Sequence, residues 1–454
     1  MDCDELYISF LFPPAESVSG ITVFKRIVEN NKMVDVLQSQ IKSPRHNELD
    51  NLIDDYVSDR ILVDVGCNND WADCIFKSVK EGMKSIKGDY KKIYSRSWLM
   101  SNHFLAYEYK MNHPEVYWTA EFSDPLIFNL DNEPKTYREM IIDDESYISK
   151  VNKEIINLNE DTGYDFKLIE SGSTAYFIAE YFVYLFADKI IFTNENQRKV
   201  MLDQFPVDVK SFVLDKSEIE MHPTLNDEFY HIKDVDLDLD ENHINMAYFG
   251  NDYYSKRHFE SLFYAVEALN HKYGDRIRVY LYLSNRNMVK SLIPSERFIV
   301  KKPLEYLDFL NATTKFDVLI VNDLATNGNF EVNPYLPSKL SDYLGSGSDI
   351  WALYEKESTL SGFDLKYKSD MADYNDCLET LVKILKDYGY VDDSYSTDYN
   401  YLNNRFTYLN ELYEKEYKNK NDLKRKVKKI KKENKEIKSS SAWKISRSIK
   451  KLKN

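Results

Sequence analysis

The amino-acid sequence predicts an α/β protein of two doubly wound, Rossmann-like domains followed by a basic helical tail. The chain has 454 residues, which is too long for one ordinary hydrophobic core. Short apolar runs rich in Val, Ile, Tyr and Phe alternate with helix-length segments, a pattern typical of parallel sheets covered by helices on both faces. This alternation occurs before and after a polar, acidic stretch, so we expect two such domains in series.

Ten apolar runs are strand candidates, five on each side of the acidic stretch. The first five are Leu6–Phe12, Ile61–Val65, Lys92–Ser95, Val116–Phe122 and Lys189–Thr193. The second five are Ile244–Phe249, Ile277–Leu283, Phe298–Lys301, Phe316–Val321 and Asp349–Leu353. The predicted divisions are an amino-terminal domain at 1–211, a linker with its flanks at 212–242, a carboxyl-terminal domain at 243–390, a helical return segment at 391–420 and a basic tail at 421–454.

Charge is divided unevenly between the body of the chain and its tail. Residues 421–454 hold 14 Lys and Arg against 3 Asp and Glu, although the whole chain has a net charge of -15. The acidic body argues against a nucleic-acid-binding protein, because binding to a phosphate backbone needs a basic face. In the tail, Lys and Arg surround Trp443 and an apolar face that includes Ile445 and Ile449. This pattern predicts binding to an anionic membrane surface, with a solvated charged tail as the alternative.

Other features predict a cytoplasmic protein, bound peripherally to the inner face of the cell membrane through its tail. The apolar run near Met1 is too short for a signal peptide. The most apolar helix candidate, Ala175–Ala187, is interrupted by Glu180 and is shorter than the ~20 residues that a membrane span needs. The four cysteines lack metal-ligand spacing, so we expect reduced thiols. A weak heptad pattern from Phe406 to Ile437, which extends into the tail, predicts a short coiled coil and allows a homo-oligomer.

Ligands of open α/β sheets bind beyond the carboxyl ends of the strands, so functional residues are expected in the loops that follow the strands. Gly20 follows the first strand, and its lack of a side chain would let the backbone approach a bound sugar or phosphate. We expect the next helix to start near Ile21 or Thr22, with Ser19 as its cap. An ordinary strand-to-helix turn explains Gly20 almost as well.

Two residues at the end of the run Val116–Phe122 are also candidates. Ser123 and Asp124 follow this strand directly, and Asp124 precedes Pro125, which is expected to direct its carboxylate into the cleft between the domains. A capping Asp in a turn is the alternative explanation.

The second array begins with a strand that ends in a polar loop. Gly250 ends the strand, Asn251 follows it, and Lys256 and Arg257 open the next helix. Two cations at a helix start are unfavourable for the helix dipole. Their position is explained if a bound diphosphate shares that end of the helix with them, although a solvated basic pair is the alternative.

A later segment, NPYLPSKLSDYLGSGSDIWAL from Asn333 to Leu353, places charged residues at the start of a short helix. Ser338 opens this helix, and Lys339 lies where free backbone N–H groups already favour phosphate. Asp342 is one turn further on and can accept hydrogen bonds from ribose hydroxyls. We therefore expect this helix to bind a nucleoside diphosphate.

In the order and spacing of these segments, residues 6–390 resemble the GT-B glycosyltransferases, and glycosyltransferase family 4 in particular. The PSKLSDYLGSG segment is the most specific part, being similar to the family's P-x-K-x-x-E-Y-L-x-x-G motif. The resemblance implies two Rossmann-like domains facing each other across a cleft. It also implies retaining transfer of a sugar from a nucleotide-sugar donor, for which we expect a UDP-sugar.

The resemblance also implies roles for particular residues. Asp342 would hold the donor ribose, and Lys256 or Arg257, assisted by Lys339, would hold the diphosphate. Asp124, with Ser123 beside it, would face the donor sugar.

The sequence departs from the family pattern at one important position. The family has a Glu-x₇-Glu motif, and the position of its first glutamate is occupied here by Pro334. Glu331 lies nearby and is a candidate substrate contact in its place. We see no cluster of metal ligands in the sequence, so we expect no metal ion and no cofactor besides the nucleotide-sugar co-substrate.

These features together predict a metal-independent hexosyl- or N-acetylhexosaminyltransferase. Its expected acceptor is a cell-envelope polysaccharide, a teichoic acid or a capsule precursor at the membrane. Two alternatives stay open: a protein O-glycosyltransferase, and a non-catalytic GT-B subunit that stabilises an active transferase. The missing glutamate favours the non-catalytic subunit, whereas Lys339 and Asp342 argue against it.

Overall fold

The computed structural model describes residues 3–15, 17–40, 47–65, 71–250, 257, 259–284 and 296–392, with positions 404, 407, 408, 411, 415, 418 and 426. Asn251, Lys256 and nearly all of the tail at 421–454 lie outside these residues. The described chain forms two parallel sheets with helices packed on them, which confirms the predicted α/β architecture. None of the described helices combines the length and the apolar character needed to cross a membrane.

The first sheet contains seven parallel strands in the order β3-β2-β1-β4-β5-β6-β7. The strands are β1 (Glu5–Ile8), β2 (Val34–Ser39), β3 (Val57–Val63), β4 (Lys92–Ser97), β5 (Tyr117–Phe122), β6 (Lys189–Phe192) and β7 (Ser217–Ile219). The helices are α1 (Val18–Asn30), α2 (Asp50–Ile53), α3 (Ala72–Ser85), α4 (Ser101–Asn112), α5 (Glu145–Thr162), α6 (Ala175–Phe186), α7 (Glu195–Leu202) and α8 (Val207–Leu214), with 3₁₀ segments at Asn47–Leu49 and Arg138–Met140.

The second sheet contains six parallel strands in the order β10-β9-β8-β11-β12-β13. After the short helix α9 (Asp227–Tyr230), its strands are β8 (Ile244–Gly250), β9 (Ile277–Leu283), β10 (Phe298–Lys301), β11 (Val318–Asn322), β12 (Asp349–Tyr354) and β13 (Tyr367–Asp370). The helices are α10 (Glu260–Tyr273), α11 (Tyr306–Thr313), α12 (Lys339–Leu344) and α13 (Tyr374–Asp387), with a 3₁₀ segment at Leu360–Gly362.

Each of the ten predicted runs overlaps a strand, but three strands have no counterpart in the prediction. These are β2, β7 and β13, whose sequences VDVLQS, SEI and YKSD carry polar residues or are very short. β7 and β13 are edge strands and β2 is next to an edge. β7 is only partly buried and needs few apolar residues, whereas β2 and β13 are mostly buried but place polar residues such as Gln38 and Ser369 inside, so neither has an apolar pattern in the sequence.

Each sheet is anchored by a fully buried tryptophan on an inner strand. Trp118 of β5 donates from Nε1 to Ser95 Oγ at 2.8 Å, and Trp351 of β12 donates from Nε1 to Ser369 Oγ at 2.9 Å. A buried indole N–H needs such a partner, because leaving it without one costs about 1–3 kcal/mol. The small serine on the neighbouring strand supplies the acceptor without occupying core volume.

The cysteines differ from expectation at one position. Cys3 and Cys377 are free thiols, as the sequence predicts. Cys74 takes part in a disulfide bond, so the expectation that all four cysteines are reduced is wrong.

The first helix also starts earlier than predicted. Its first residue is Val18 rather than Ile21 or Thr22, and its cap is Ser17, whose Oγ accepts from the Gly20 backbone N–H at 3.2 Å. Ser17 has the extended backbone of an N-cap residue, so the helix begins there. A Cβ at Gly20 would lie 2.0 Å from the Leu11 carbonyl oxygen. Glycine is therefore required for α1 to pack against its own loop.

We expect Gly20→Ala to lower the free energy of unfolding by about 1–3 kcal/mol, because the backbone of the loop must move to admit a methyl group. Gly362→Ala is the matched control, since a Cβ there would meet nothing within 4 Å. Urea denaturation followed by circular dichroism measures both variants. Equal stability of Gly20→Ala and Gly362→Ala would contradict this account of the close approach.

Candidate functional site

A cavity of 770 Å³ opens where residues of both sheets meet. The start of α1 and the loops after β4 and β5 form its first wall, and the ends of β8 and β9 together with α12 contribute to its second wall. Strand order reverses between β1 and β4 in the first sheet and between β8 and β11 in the second. Loops diverge at such a reversal and leave a crevice, where open α/β sheets bind ligands.

Seven of the residues predicted from the sequence lie on the wall of this cavity. They are Ser123, Asp124, Gly250, Arg257, Ser338, Lys339 and Asp342. Residues that are more than 200 positions apart in the chain are therefore brought to one cleft.

The other four predicted residues are placed differently. Asn251 and Lys256 lie outside the described residues. Gly20 packs against Leu11 rather than contributing to the cavity wall. Glu331 is exposed at the surface, where its carboxylate pairs with Lys199 Nζ at 2.8 Å. This position argues against Glu331 as a replacement for the missing motif glutamate.

Asp342 joins the two domains through a buried ion pair. Its Oδ1 accepts from Lys25 Nζ of α1 at 2.9 Å and from the Tyr306 hydroxyl at 3.0 Å. Lys25 also donates to Ser341 Oγ at 2.7 Å, and the Lys25 and Asp342 side chains are only 3% and 8% exposed. Among the described residues no hydrogen bond to Asp342 Oδ2 is found, so this oxygen can accept from a ligand hydroxyl.

Lys339 is a cation in the cavity wall with no ion-pair partner among the described residues. Its Nζ lies 4.7 Å from the centre of the Phe309 ring, a cation–π contact. Burial lowers the pKa of Lys339, and Asp342 acts in the opposite direction. A bound anion would stabilise the charged ammonium and so offset the effect of burial, as expected for a lysine that binds phosphate.

Arg257 adds a second cation on the same wall. One of its terminal nitrogens donates to the Asn322 carbonyl at the end of β11, and its Nε is buried without a hydrogen-bond partner in the described part of the chain. An unsatisfied buried donor costs about 1–3 kcal/mol or more when charged. Arg257 and Lys339 thus leave charge and donor capacity available in the second wall.

A buried carboxylate organises the first wall. Glu121 of β5 accepts from Arg26 Nε at 2.9 Å, from Arg96 Nε at 2.9 Å and from the Tyr94 hydroxyl at 2.7 Å. Burial alone would raise the pKa of Glu121, but Arg26 and Arg96 outweigh this and lower its pKa to about 2. The carboxylate is therefore ionised throughout the physiological range and fixes both guanidinium groups.

Arg96 extends this network to the cavity. It donates to Ser19 Oγ at 2.6 Å from Nη1, and its Nη2 lies 3.0 Å from His222 Nε2. A guanidinium only donates, so Nε2 is the acceptor and the proton of a neutral His222 is on Nδ1. Burial, followed by the nearby Arg96 charge, lowers the pKa of His222 well below its usual value, which keeps the ring neutral.

A second buried acid, Glu180, contacts the loop after β5. Glu180 of α6 is 1% exposed; its Oε2 accepts from the Leu126 backbone N–H at 3.2 Å and its Oε1 from the Tyr184 hydroxyl at 2.9 Å. Asp124, two residues before Leu126, is exposed to the cleft, yet the surrounding walls limit its hydration and raise its pKa to about 6. Glu180 therefore positions the loop that carries Asp124.

Sequence reasoning missed several residues of this site. Lys25 and Arg26 lie in an apolar helix segment, VFKRIV, and Arg96 lies within a strand. A charged residue inside an element that is otherwise buried is a signal that could have identified all three. No such signal exists for His222, since it lies in an irregular segment of the predicted linker.

Comparisons with known proteins support the fold. No family model and no curated protein sequence matches the chain. Among solved structures, one from E. coli, described as trehalose-6-phosphate bound with UDP-2-fluoro glucose, has a TM-score of 0.51 at 10% identity and covers 91% of this chain and 95% of its own. The chain has the GT-B fold.

Two further GT-B structures are less similar in shape. A UDP-N-acetylglucosamine 2-epimerase from Listeria monocytogenes has a TM-score of 0.46 at 11% identity, covering 86% of this chain and 90% of its own. A MnaA–UDP structure from S. aureus has a TM-score of 0.44 at 12% identity, covering 86% and 90%. These values do not assign a family within GT-B, so family 4 stays a prediction from the sequence.

The buried Glu180 carboxyl makes the stability of this GT-B protein depend on pH. Burial, only partly offset by its hydrogen bonds, raises the pKa of Glu180 from 4.5 to about 7. The folded state therefore holds this proton more tightly than the unfolded state, and the stabilisation is complete below pH 4.5 and lost as pH rises through 7. The difference corresponds to about 3 kcal/mol.

We expect Glu180→Gln to remove this part of the pH dependence. Thermal unfolding of the wild type and the variant would be compared between pH 5 and 8, with the exposed Glu160→Gln on α5 as the control. The melting temperature of Glu180→Gln should rise relative to the wild type with increasing pH. Parallel curves for all three proteins would show that Glu180 does not titrate in this range.

Proposed function

We propose that this protein transfers a sugar from a nucleotide-sugar donor to an acceptor held in the same cleft. The observation that carries the proposal is Lys339, a partly buried cation without an ion-pair partner among the described residues, beside Asp342 and Arg257 at the reversal point of the second sheet. A nucleoside diphosphate matches these groups, because it supplies two negative charges and a ribose with hydroxyl donors.

The donor would lie along the second wall. Asp342 Oδ2 accepts from a ribose hydroxyl, while Lys339 and Arg257 hold the diphosphate. The apolar side of the cavity near Tyr282 and Leu304 receives the base. We propose a UDP-sugar, supported by the UDP-2-fluoro glucose in the E. coli structure of the same fold.

The chemistry proposed for this site is direct transfer with retention of configuration. The bond between the anomeric carbon and the diphosphate oxygen breaks, and the oxygen leaves with the electron pair. The acceptor hydroxyl oxygen forms the new bond on the same face, and its proton passes to the leaving phosphate. Lys339 and Arg257 stabilise the charge that grows on the diphosphate, which lowers the barrier if the interaction is stronger in the transition state than in the ground state.

Asp124 lies on the opposite wall and would face the donor sugar and the acceptor. With a pKa raised to about 6, it is mostly ionised at neutral pH and can accept a hydrogen bond from a sugar hydroxyl. We propose a cell-envelope polysaccharide, teichoic acid or capsule precursor as acceptor, with a protein as the alternative acceptor.

A non-catalytic subunit is the second candidate, and one observation favours it. Pro334 replaces the first motif glutamate, and its carbonyl accepts from Asn194 Nδ2 at 3.1 Å, a contact between the two domains. Glu331 points to the surface instead. In this candidate the protein would bind a nucleotide without transferring a sugar.

Binding and turnover separate these candidates. We expect the wild type to release nucleotide from one member of a panel of UDP-, GDP- and CDP-sugars. Lys339→Ala should weaken binding of the corresponding nucleotide 10- to 100-fold, the loss expected for one or two charge-assisted hydrogen bonds of about 1.5–3 kcal/mol. Calorimetry measures the binding.

Lys199→Ala is the matched control, since Lys199 is a surface lysine paired with Glu331. It should bind nucleotide like the wild type. Binding without release would favour the non-catalytic subunit, and equal affinity of Lys339→Ala and Lys199→Ala would refute the proposed diphosphate contact.

We also propose that the tail at 421–454 attaches the protein to the cytoplasmic membrane face, because it holds 14 basic residues against 3 acidic ones. Deletion of 421–454 should abolish sedimentation with vesicles that contain 30 mol% phosphatidylserine while leaving nucleotide binding unchanged. Neutral phosphatidylcholine vesicles are the control. Equal sedimentation of both proteins with the anionic vesicles would rule out this role.

A further inference from the structure

His222 presents an unused hydrogen-bond donor to the cavity. The residue is 8% exposed and lines the cavity wall. Its Nε2 lies 3.0 Å from Arg96 Nη2, which fixes the proton of the neutral ring on Nδ1. Within the described part of the chain, Nδ1 has no hydrogen-bond partner, and it is not among the fully buried atoms. A buried side chain is thus held with one N–H available to a ligand.

The start of α1 lies beside this donor. α1 has 13 residues, and Ser17 caps it through the Gly20 N–H, while Val18 and Ser19 line the cavity. The first N–H groups of a helix lack intrahelical acceptors and carry the positive end of the helix dipole. Arg96 bonds to Ser19 Oγ at 2.6 Å and so places its guanidinium next to this helix end.

Arg96 has one carboxylate partner among the described residues, Glu121, which it shares with Arg26. Arg26 also pairs with Glu29 at 3.1 Å and with Glu220 at 3.3 Å. Lys135 also lines this part of the cavity, and Asp124 is the acid that opposes it. Each terminal nitrogen of Arg96 carries a second hydrogen beyond those used for Ser19 and His222.

We propose that Arg96, the Nδ1–H of His222 and the amino-terminal end of α1 form a subsite for a phosphate group of the acceptor. A phosphate monoester offers three terminal oxygens, which match a guanidinium, a neutral N–H and backbone amides on one side of a cleft. This inference rests on the proposed function and adds that the acceptor is a phosphorylated molecule. The subsite lies on the first wall, opposite the cations Lys339 and Arg257.

The experiment uses the full-length protein with radiolabelled inorganic phosphate in equilibrium dialysis. UDP is titrated first by calorimetry, and phosphate is then added to the UDP-saturated protein, so that the second wall is already occupied. Glycerol 3-phosphate serves as an unlabelled competitor, which distinguishes binding of a phosphate ester from binding of free phosphate. Glycerol, which lacks the phosphate group, is the control for the rest of that molecule. We expect phosphate to bind, and the ester to displace it at lower concentration than phosphate itself.

His222→Leu removes the donor and should weaken phosphate binding at least fivefold. His222→Gln restores an acceptor for Arg96 and an amide donor for the ligand, so it should recover most of the affinity. His231→Leu changes an exposed histidine nine positions away and should bind like the wild type. Arg96→Lys keeps a cation beside Glu121 but loses the planar guanidinium group with its several N–H donors. We expect this variant to bind phosphate more weakly without unfolding.

The outcomes separate the two proposals. If UDP does not bind, the proposed function fails. If UDP binds but the UDP-saturated protein binds no phosphate, the separate acceptor subsite is wrong. Equal phosphate binding by the wild type and by a folded His222→Leu protein would also overturn the inference.

Discussion

The arrangement of the cleft depends on one buried carboxylate. Glu121 is fully buried in β5 and holds Arg26 of α1 and Arg96 of β4 at 2.9 Å each. Arg26 in turn donates to the Glu220 and Met221 carbonyls at 3.1 and 2.8 Å. A carboxylate in this position would cost several kcal/mol without partners, and the two arginines together with the Tyr94 hydroxyl compensate this cost. This network fixes α1, β4, β5 and the segment that carries His222 relative to one another.

The contact between the domains follows from the same placement of α1. Because Arg26 fixes the helix on one side, Lys25 points the other way, where its Nζ reaches Asp342 Oδ1 at 2.9 Å in the second domain. Asp342 is therefore neutralised mainly by a residue from the opposite domain. Lys339, three positions earlier, gains no comparable ion pair among the described residues. Asp342 thus pairs with Lys25 and not with Lys339. Lys339 in the second wall is therefore available to an anionic ligand.

The partners of each buried acid explain why two such acids near the cavity have different pKa values. Glu121 and Glu180 are both buried, yet the pKa of Glu121 falls to about 2 and that of Glu180 rises to about 7. Two guanidinium groups contact Glu121, whereas Glu180 is bonded to a tyrosine hydroxyl and backbone N–H groups, which compensate burial less completely. Glu121 is therefore ionised throughout the physiological range. Glu180 titrates near pH 7, so the support that it gives to the Asp124 loop depends on pH.

The sequence by itself determined the two parallel sheets, since runs such as Ile277–Leu283 are apolar enough to require cover on both faces. It also identified Lys339, Asp342 and Arg257 as candidates, because charged residues at the start of a predicted helix are visible locally. Only the tertiary structure decided that Lys25 pairs with Asp342 across 317 positions and that His222 meets Arg96 across 126 positions. The packing of α1 against the two sheets brings these residues together. No local pattern in the chain indicates which distant residues will be in contact.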